Sequence, residues 1–286
     1  MAAGRLFCFG LGFSALTLAR ALPAGWQVAG TCRSAEACAR CSAEGIEAHR
    51  FDGSAPPADA GRWLEGATHL LTSVPPDEDG DPVLRQFGEA IAAAEGLRWI
   101  GYLSTTGVYG DRGGGWVDED TPPAPNSPRS RRRAEAEQAW LELWRAHGRP
   151  VHVFRLAGIY GPGRSAIDQL RAGTARRIVK PGQVFSRIQV ADIANVLLAS
   201  MARPNPGAVY NVCDDEPAPA HEVVTYAAAL LGIEPPPEQP FEDAGLSPMA
   251  RSFYADNRRV RNDRIKRELG VRLHYPSYRE GLRALV

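Results

Sequence analysis

No stretch of the 286 residues approaches the roughly 18 to 20 consecutive apolar residues that cross a bilayer. Neither charge is in excess: 33 Lys and Arg balance 33 Asp and Glu, so the formal net charge is zero. A nucleic-acid binder needs a basic surface facing the phosphates, and this balance argues against one. The opening residues Met1 to Phe7 lead into a strand pattern rather than a signal peptide. A cytoplasmic protein with neither membrane nor nucleic acid as partner is the expectation.

Cysteine is sparse as well. Cys8, Cys32, Cys38, Cys41 and Cys213 are odd in number and scattered, which argues for reduced thiols rather than a disulfide framework. Cys38-Ala-Arg-Cys41 has the spacing of half a zinc site. A zinc site takes about four ligands, and no second Cys/His pair stands at a matching spacing. No metal is expected, and the two cysteines read as small helix residues.

What the chain does have is alternation. Hydrophobic residues at 44% and charged residues at 23% suit a globular body with a sizeable core. Short apolar runs at Arg5–Gly10, Gln27–Thr31, Glu47–Phe51, His69–Ser73, Arg98–Thr105 and Val151–Leu156 alternate with helical patterns. Those helices are expected over Phe13–Leu22, Ala35–Glu44, Asp81–Ala94 and Arg129–His147. Strands joined by helices predict parallel βαβ units and a doubly wound α/β sheet. Beyond Leu156 come a Gly/Pro loop at Tyr160–Arg164, a helix at Ile188–Met201, a last strong strand at Ala208–Cys213 and a helix at Ala220–Leu231. Gly232–Pro248, rich in proline and acid, reads as a loop or hinge. The expected division is a nucleotide-binding domain over residues 1–160 and a small C-terminal lobe over 161–286, with 186–215 returning to the first domain.

The first strand runs into Gly10-Leu-Gly12-Phe13-Ser14-Ala15. Glycine, glycine and a small third residue at these spacings allow a tight turn, a close approach to a diphosphate and close helix packing. The helix start then offers free N–H groups to phosphate. The second strand ends Gly30-Thr31-Cys32-Arg33-Ser34, with no Asp or Glu to read a ribose 2′-hydroxyl. Arg33 suits a 2′-phosphate instead, so NADP is expected over NAD.

Later segments carry a family resemblance. Gly101-Tyr-Leu-Ser-Thr-Thr-Gly-Val-Tyr-Gly110, Val117-Asp-Glu-Asp-Thr-Pro-Pro-Ala-Pro125, Phe154-Arg-Leu-Ala-Gly-Ile-Tyr-Gly-Pro-Gly163, Ile188-Gln-Val-Ala-Asp-Ile-Ala194 and Val209-Tyr-Asn-Val-Cys-Asp-Asp215 resemble, in order, landmarks of the extended short-chain dehydrogenases. These are the NAD(P)-dependent epimerase and dehydratase relatives, and the resemblance covers nearly the whole chain. It implies a Rossmann fold with a C-terminal substrate lobe. It also implies that Thr105 hydrogen-bonds a substrate oxygen, that Asp52 contacts adenine, and that Ser73, Val74 and Pro75 lie beside the nicotinamide ribose.

The same resemblance exposes a departure. Where the family carries Tyr-x-x-x-Lys, this chain has Arg129 and Arg133. Arginine keeps its proton, with a pKa above about 12, so the usual acid/base relay is missing. Arg133 is still expected to hold the cofactor ribose, and Arg129 to grip an anionic substrate or a phosphate. The competing reading makes the Arg129–Arg133 run a solvated helix face, with Arg131 to Glu135 and Arg133 to Glu137 paired at i,i+4. Among other proton sources, Tyr102, Tyr109 and Tyr160 are weighed, with Tyr109 read as the most exposed; His49, His69 and His152 fall in strands and read as structural. The branch closest in pattern is the atypical one that often lacks the tyrosine.

In the C-terminal lobe, Arg164, Arg171 and the arginine-rich stretch from Arg251 to Arg264 would suit an anionic small-molecule substrate. Two functions stay open: an oxidoreductase or epimerase acting on a small polar or sugar-nucleotide substrate, and a silent NADP-binding sensor. The chain is expected to be a monomer or a homodimer.

Overall fold

The computed structural model describes residues 3–56 and 60–286. Its internal contacts divide it into two units, the first made of Met1–Thr105, Pro128–Arg155 and Ala194–Tyr210, the second of Thr106–Ser127, Leu156–Ile193 and Asn211–Val286.

The first unit is built on a seven-stranded sheet. Five of its strands are β1 (Arg5–Phe9), β2 (Gln27–Cys32), β3 (Glu47–Arg50), β4 (His69–Thr72) and β5 (Trp99–Thr105). From one edge the order is Val209–Val212, Val151–Leu156, β5, β4, β1, β2, β3. The last strong strand of the sequence therefore joins the same sheet as the first six. Pairing is parallel from β3 through β5. Leu6 to Phe9 and all of β4 are buried, as expected of strands covered on both faces. Strand order reverses between β1 and β4, the place where such sheets open a crevice at the carboxyl ends of their strands.

Helices α1 (Phe13–Ala21), α2 (Ala35–Ala43), α3 (Pro82–Ala93) and α4 (Pro128–His147) connect and flank these strands. Phe7, Phe9, Phe51, Trp63 and Phe87 share one aromatic core, Phe9 and Phe87 with centroids 4.8 Å apart. Burying each such ring stabilises the fold by about 1.5–3 kcal/mol. Asp81 starts α3 by accepting from the Val83 and Leu84 amides, and its second oxygen takes the buried Trp140 indole N–H at 2.9 Å.

Glu137 corrects the sequence reading. The i,i+4 pattern paired it with Arg133 on a solvated face, yet it is fully buried and bonded to Arg155 Nη2 at 2.8 Å and to the Ser104 hydroxyl. The face of α4 that carries Ala136, Trp140 and Leu141 is the buried one, and Glu137 lies on it.

The second unit has its own core, with Tyr160, Ile167, Val223, Val224, Tyr278 and Leu282 at its centre. Helices Ala166–Arg171, Ala220–Leu231 and Tyr278–Arg283 supply most of it, the last opened by a capping box between Ser277 and Glu280. Short parallel pairs join Gly158–Tyr160 to Arg187–Gln189 and Arg177–Val179 to Glu238–Pro240. The segment expected as a plain loop thus contains a short strand and a 3-10 turn, Phe241–Asp243. Buried Asp192 ties the tail by accepting from the His274 and Tyr275 amides at 2.7 and 2.9 Å.

Candidate functional site

The glycine loop of the first unit sits at the reversal of strand order. Gly10 has φ 90°, a left-handed conformation that disfavours any side chain. Its N–H donates to Thr31 Oγ1 at 2.9 Å, and its carbonyl accepts from Ser73 Oγ at 2.9 Å. A Cβ added at Gly10 would come within 2.6 Å of Ser73 Oγ. The turn is therefore clamped from β2 and from the end of β4.

Gly12 is the N-cap of α1, and no side chain caps the helix. A Cβ there would meet nothing within 4 Å. The first-turn amides, carried by Phe13, Ser14 and Ala15, thus form a cradle of positive dipole that no protein side chain caps, which fits a diphosphate. Ala15 is 1% exposed and lets the helix pack closely.

Around the loop stand the other residues expected to hold the dinucleotide. Cys32 is buried at the end of β2, Arg33 next to it is exposed, and Ser34 caps α2 by accepting from the Ala37 amide. Asp52 is exposed beyond β3; bonds from the Ser54 hydroxyl and amide hold its carboxyl below the usual range. Ser73 and Val74 are half-buried, Val74 against the core, and Pro75 is exposed.

Thr105 ends β5 half-buried, and Arg129 is exposed in the first turn of α4. Arg133 turns toward β5, donating from Nη1 to the Tyr102 hydroxyl at 3.0 Å and to the Leu103 carbonyl at 3.1 Å. Burial pushes the Tyr102 phenol above its usual range, which makes it a poor proton donor. Tyr109, read from sequence as the most exposed tyrosine, is fully buried and donates to Asn211 Oδ1 at 2.8 Å. A 3-10 turn over Thr106–Tyr109 buries Thr106, Val108 and Tyr109, and the motif alone does not reveal that turn.

The strand histidines are structural. His152 Nε2 accepts from the Asn205 amide at 2.9 Å, so its Nδ1 carries the proton toward the Ile100 carbonyl, and burial pushes its pKa down to about 4. Burial does the same to His69, also to about 4. His49 stacks on Trp63. Cys38 and Cys41 lie on α2 as expected, and the Cys41 sulfur is 3.6 Å from that of Cys32.

The second unit contains a cavity of about 500 Å³. Arg164, Arg176 and Arg187 line it, with Tyr254, Val223 and Val224 among the others. Of the arginines singled out by sequence, only Arg164 reaches this wall. Arg171 bonds the Leu285 carbonyl, Arg251 packs on Phe241, and Arg258 pairs with Asp256. Sequence reasoning missed Arg176, just before the strand Arg177–Val179, and Arg187, the first residue of Arg187–Gln189; no motif marks either as ligand-facing.

Beside this cavity two buried polar groups stand unpaired. Among the described residues neither Asp214 carboxyl oxygen nor the Tyr160 hydroxyl has a hydrogen-bond partner. Burial pushes Asp214 up to about 8, opposed by the Arg187 charge and the nearby Glu216 amide, which falls short of ordinary hydrogen-bond geometry.

Comparison with known proteins agrees with this geometry. The model of the NAD dependent epimerase/dehydratase family matches residues 88–213. Protein YeeZ of Escherichia coli K12 is 30% identical over 93% of this chain and 94% of its own. A 3-diazoavenalumate denitrifying reductase of a Streptomyces species is 29% identical over 76% of each chain. The structure of a functionally unknown conserved protein from Silicibacter pomeroyi superposes with TM-score 0.91 at 56% identity, over 99% of this chain and 98% of the other. An open dinucleotide-type loop on a doubly wound sheet defines the class, and the chain belongs to the NAD dependent epimerase/dehydratase family of extended short-chain dehydrogenases.

Proposed function

We propose that the first unit binds NADP in preference to NAD, that the cavity of the second unit holds a small anionic substrate, and that the protein acts by hydride transfer. The observation that carries the dinucleotide is the uncapped start of α1 behind Gly10 and Gly12. Phe13, Ser14 and Ala15 would hold the diphosphate through their amides, Asp52 the adenosine, Ser73 to Pro75 the nicotinamide ribose, and Arg33 the 2′-phosphate. The preference for NADP rests on Arg33 standing exposed where a ribose-reading carboxylate is absent. The family description speaks for NAD, and the two are separated by titration.

When bound, the nicotinamide supplies or accepts the hydride. The chain's own part is positioning: Thr105 orients a substrate oxygen and Arg129 offers a fixed positive charge. Neither Arg129 nor Arg133 moves a proton. An electrophile that takes hydride without a proton from the protein suits such a site, and the Streptomyces relative is named as a reductase of a diazo compound. The replacement of the family's tyrosine by Arg129 equally favours a second reading, a cofactor-binding sensor without turnover.

NADPH fluorescence titration decides the first part. Gly12→Val should abolish binding while the protein stays folded, because a Cβ at this position meets no protein atom within 4 Å. Arg33→Asp should lower NADPH affinity at least tenfold; a variant that still prefers NADPH ends the case for NADP. Absence of NADPH oxidation with carbonyl, conjugated and diazo acceptors alike would favour the sensor.

A further inference from the structure

The cavity of the second unit is lined by charge of one sign. Arg164, Arg176 and Arg187 face it, and among the described lining residues there is no Asp or Glu. Arg176 is committed to Gln239 Oε1 and to the Ala244 carbonyl. Arg187 donates from Nη1 to the carbonyls of Phe185 and Ala218, both at 2.8 Å, which fixes the guanidinium and leaves Nη2 and Nε for a ligand. It makes no ion pair among the described residues, and Asp214, the acid that acts on it most strongly, is buried without a partner.

The rest of the wall mixes apolar Val223, Val224, Leu246, Phe253 and Leu282 with polar Gln169 and Thr174 and with the Tyr160 hydroxyl. Ser165, a hydroxyl on this wall, is already spent on the Asp168 amide and carboxylate. A sugar brings several hydroxyls that need partners, and the apolar members of this wall leave unpaired those that meet them. A flat or branched hydrocarbon loses nothing there.

We infer that this cavity recognises a carboxylate carried on an apolar body, an aryl or branched-alkyl acid, with Arg187 pairing the carboxylate and the Val223, Val224 and Phe253 surface holding the hydrocarbon. The inference takes from the proposed function the cavity's role as substrate site and adds the substrate class. A fixed, planar guanidinium matches a carboxylate's two oxygens, which a neutral amide does not offer. Charge and shape thus select together.

Titration calorimetry on the full chain tests it, with trans-cinnamate, 3-phenylpropionate and isovalerate, the three corresponding amides, inorganic phosphate and UDP-glucuronate. At least one acid should bind, its amide at least tenfold more weakly, and Arg187→Gln should lower the acid's affinity at least tenfold. Should that variant fail to fold, Leu246→Asp on a half-buried loop position should weaken the same acid by like charge. Silence from all three acids, equal binding of acid and amide, or binding of phosphate or UDP-glucuronate alone overturns the inference. NADPH fluorescence on the same samples keeps the readings apart: carboxylate binding without NADPH binding ends the dinucleotide proposal alone, and the reverse ends this one alone.

Discussion

Arg133 Nη1 lies 3.0 Å from the hydroxyl of Tyr102, and its guanidinium carbon sits 5.6 Å from the centre of that ring. The Arg133 guanidinium is thus bound to β5. Arg133→Met removes the donor to a buried phenol and to the Leu103 carbonyl, and should cost about 1–3 kcal/mol in urea unfolding. Arg133→Lys should recover part of it, since one ammonium reaches one of the two acceptors.

Glu137 and Arg155 form a buried pair, their side chains 1% and 5% exposed. Removing one charge leaves the other unpaired, so Glu137→Leu should destabilise by about 3–5 kcal/mol. The double variant Glu137→Leu with Arg155→Met should recover most of that loss. Denaturant midpoints of the four proteins in the cycle would measure the coupling, and additive losses would contradict it.

Asp214 faces Arg187, Tyr160, Asp215, Glu216 and Cys213, and burial raises its pKa from 3.8 to about 8. Between those values the unfolded chain has released a proton that the native one keeps, so this residue's contribution falls as pH rises from 3.8 and levels off above 8. Asp214→Asn should stabilise the protein near pH 8 by about 1–3 kcal/mol and much less at pH 4. Ionisation of Asp214 also offsets Arg187, so carboxylate affinity should fall above pH 8 in the wild type and stay flat in Asp214→Asn.

His69 and His152 shift the other way, from 6.5 to about 4. Unfolded, they bind protons in this window while the native rings stay neutral, so stability is lost as pH falls from 6.5 toward 4. Each histidine contributes up to about 1.4 kcal/mol per pH unit across that window. His152→Asn should flatten the acid limb of a urea-midpoint profile; an unchanged slope would refute the assignment.

Much of the fold was legible in the chain because the signals are local. Apolar runs such as Leu6–Phe9, glycines at 10 and 12, and the missing acid after β2 are properties of neighbouring residues, and they define a doubly wound sheet with a nucleotide-type loop.

Tertiary structure decided the rest, because those contacts join residues far apart in the chain. Only folding brings Thr31 and Ser73 onto Gly10, turns Glu137 inward to Arg155, and buries Tyr109 against Asn211. Only folding gathers Arg164, Arg176 and Arg187 around one cavity without an opposing carboxylate, since neither charge balance nor helical period records which arginines share a wall.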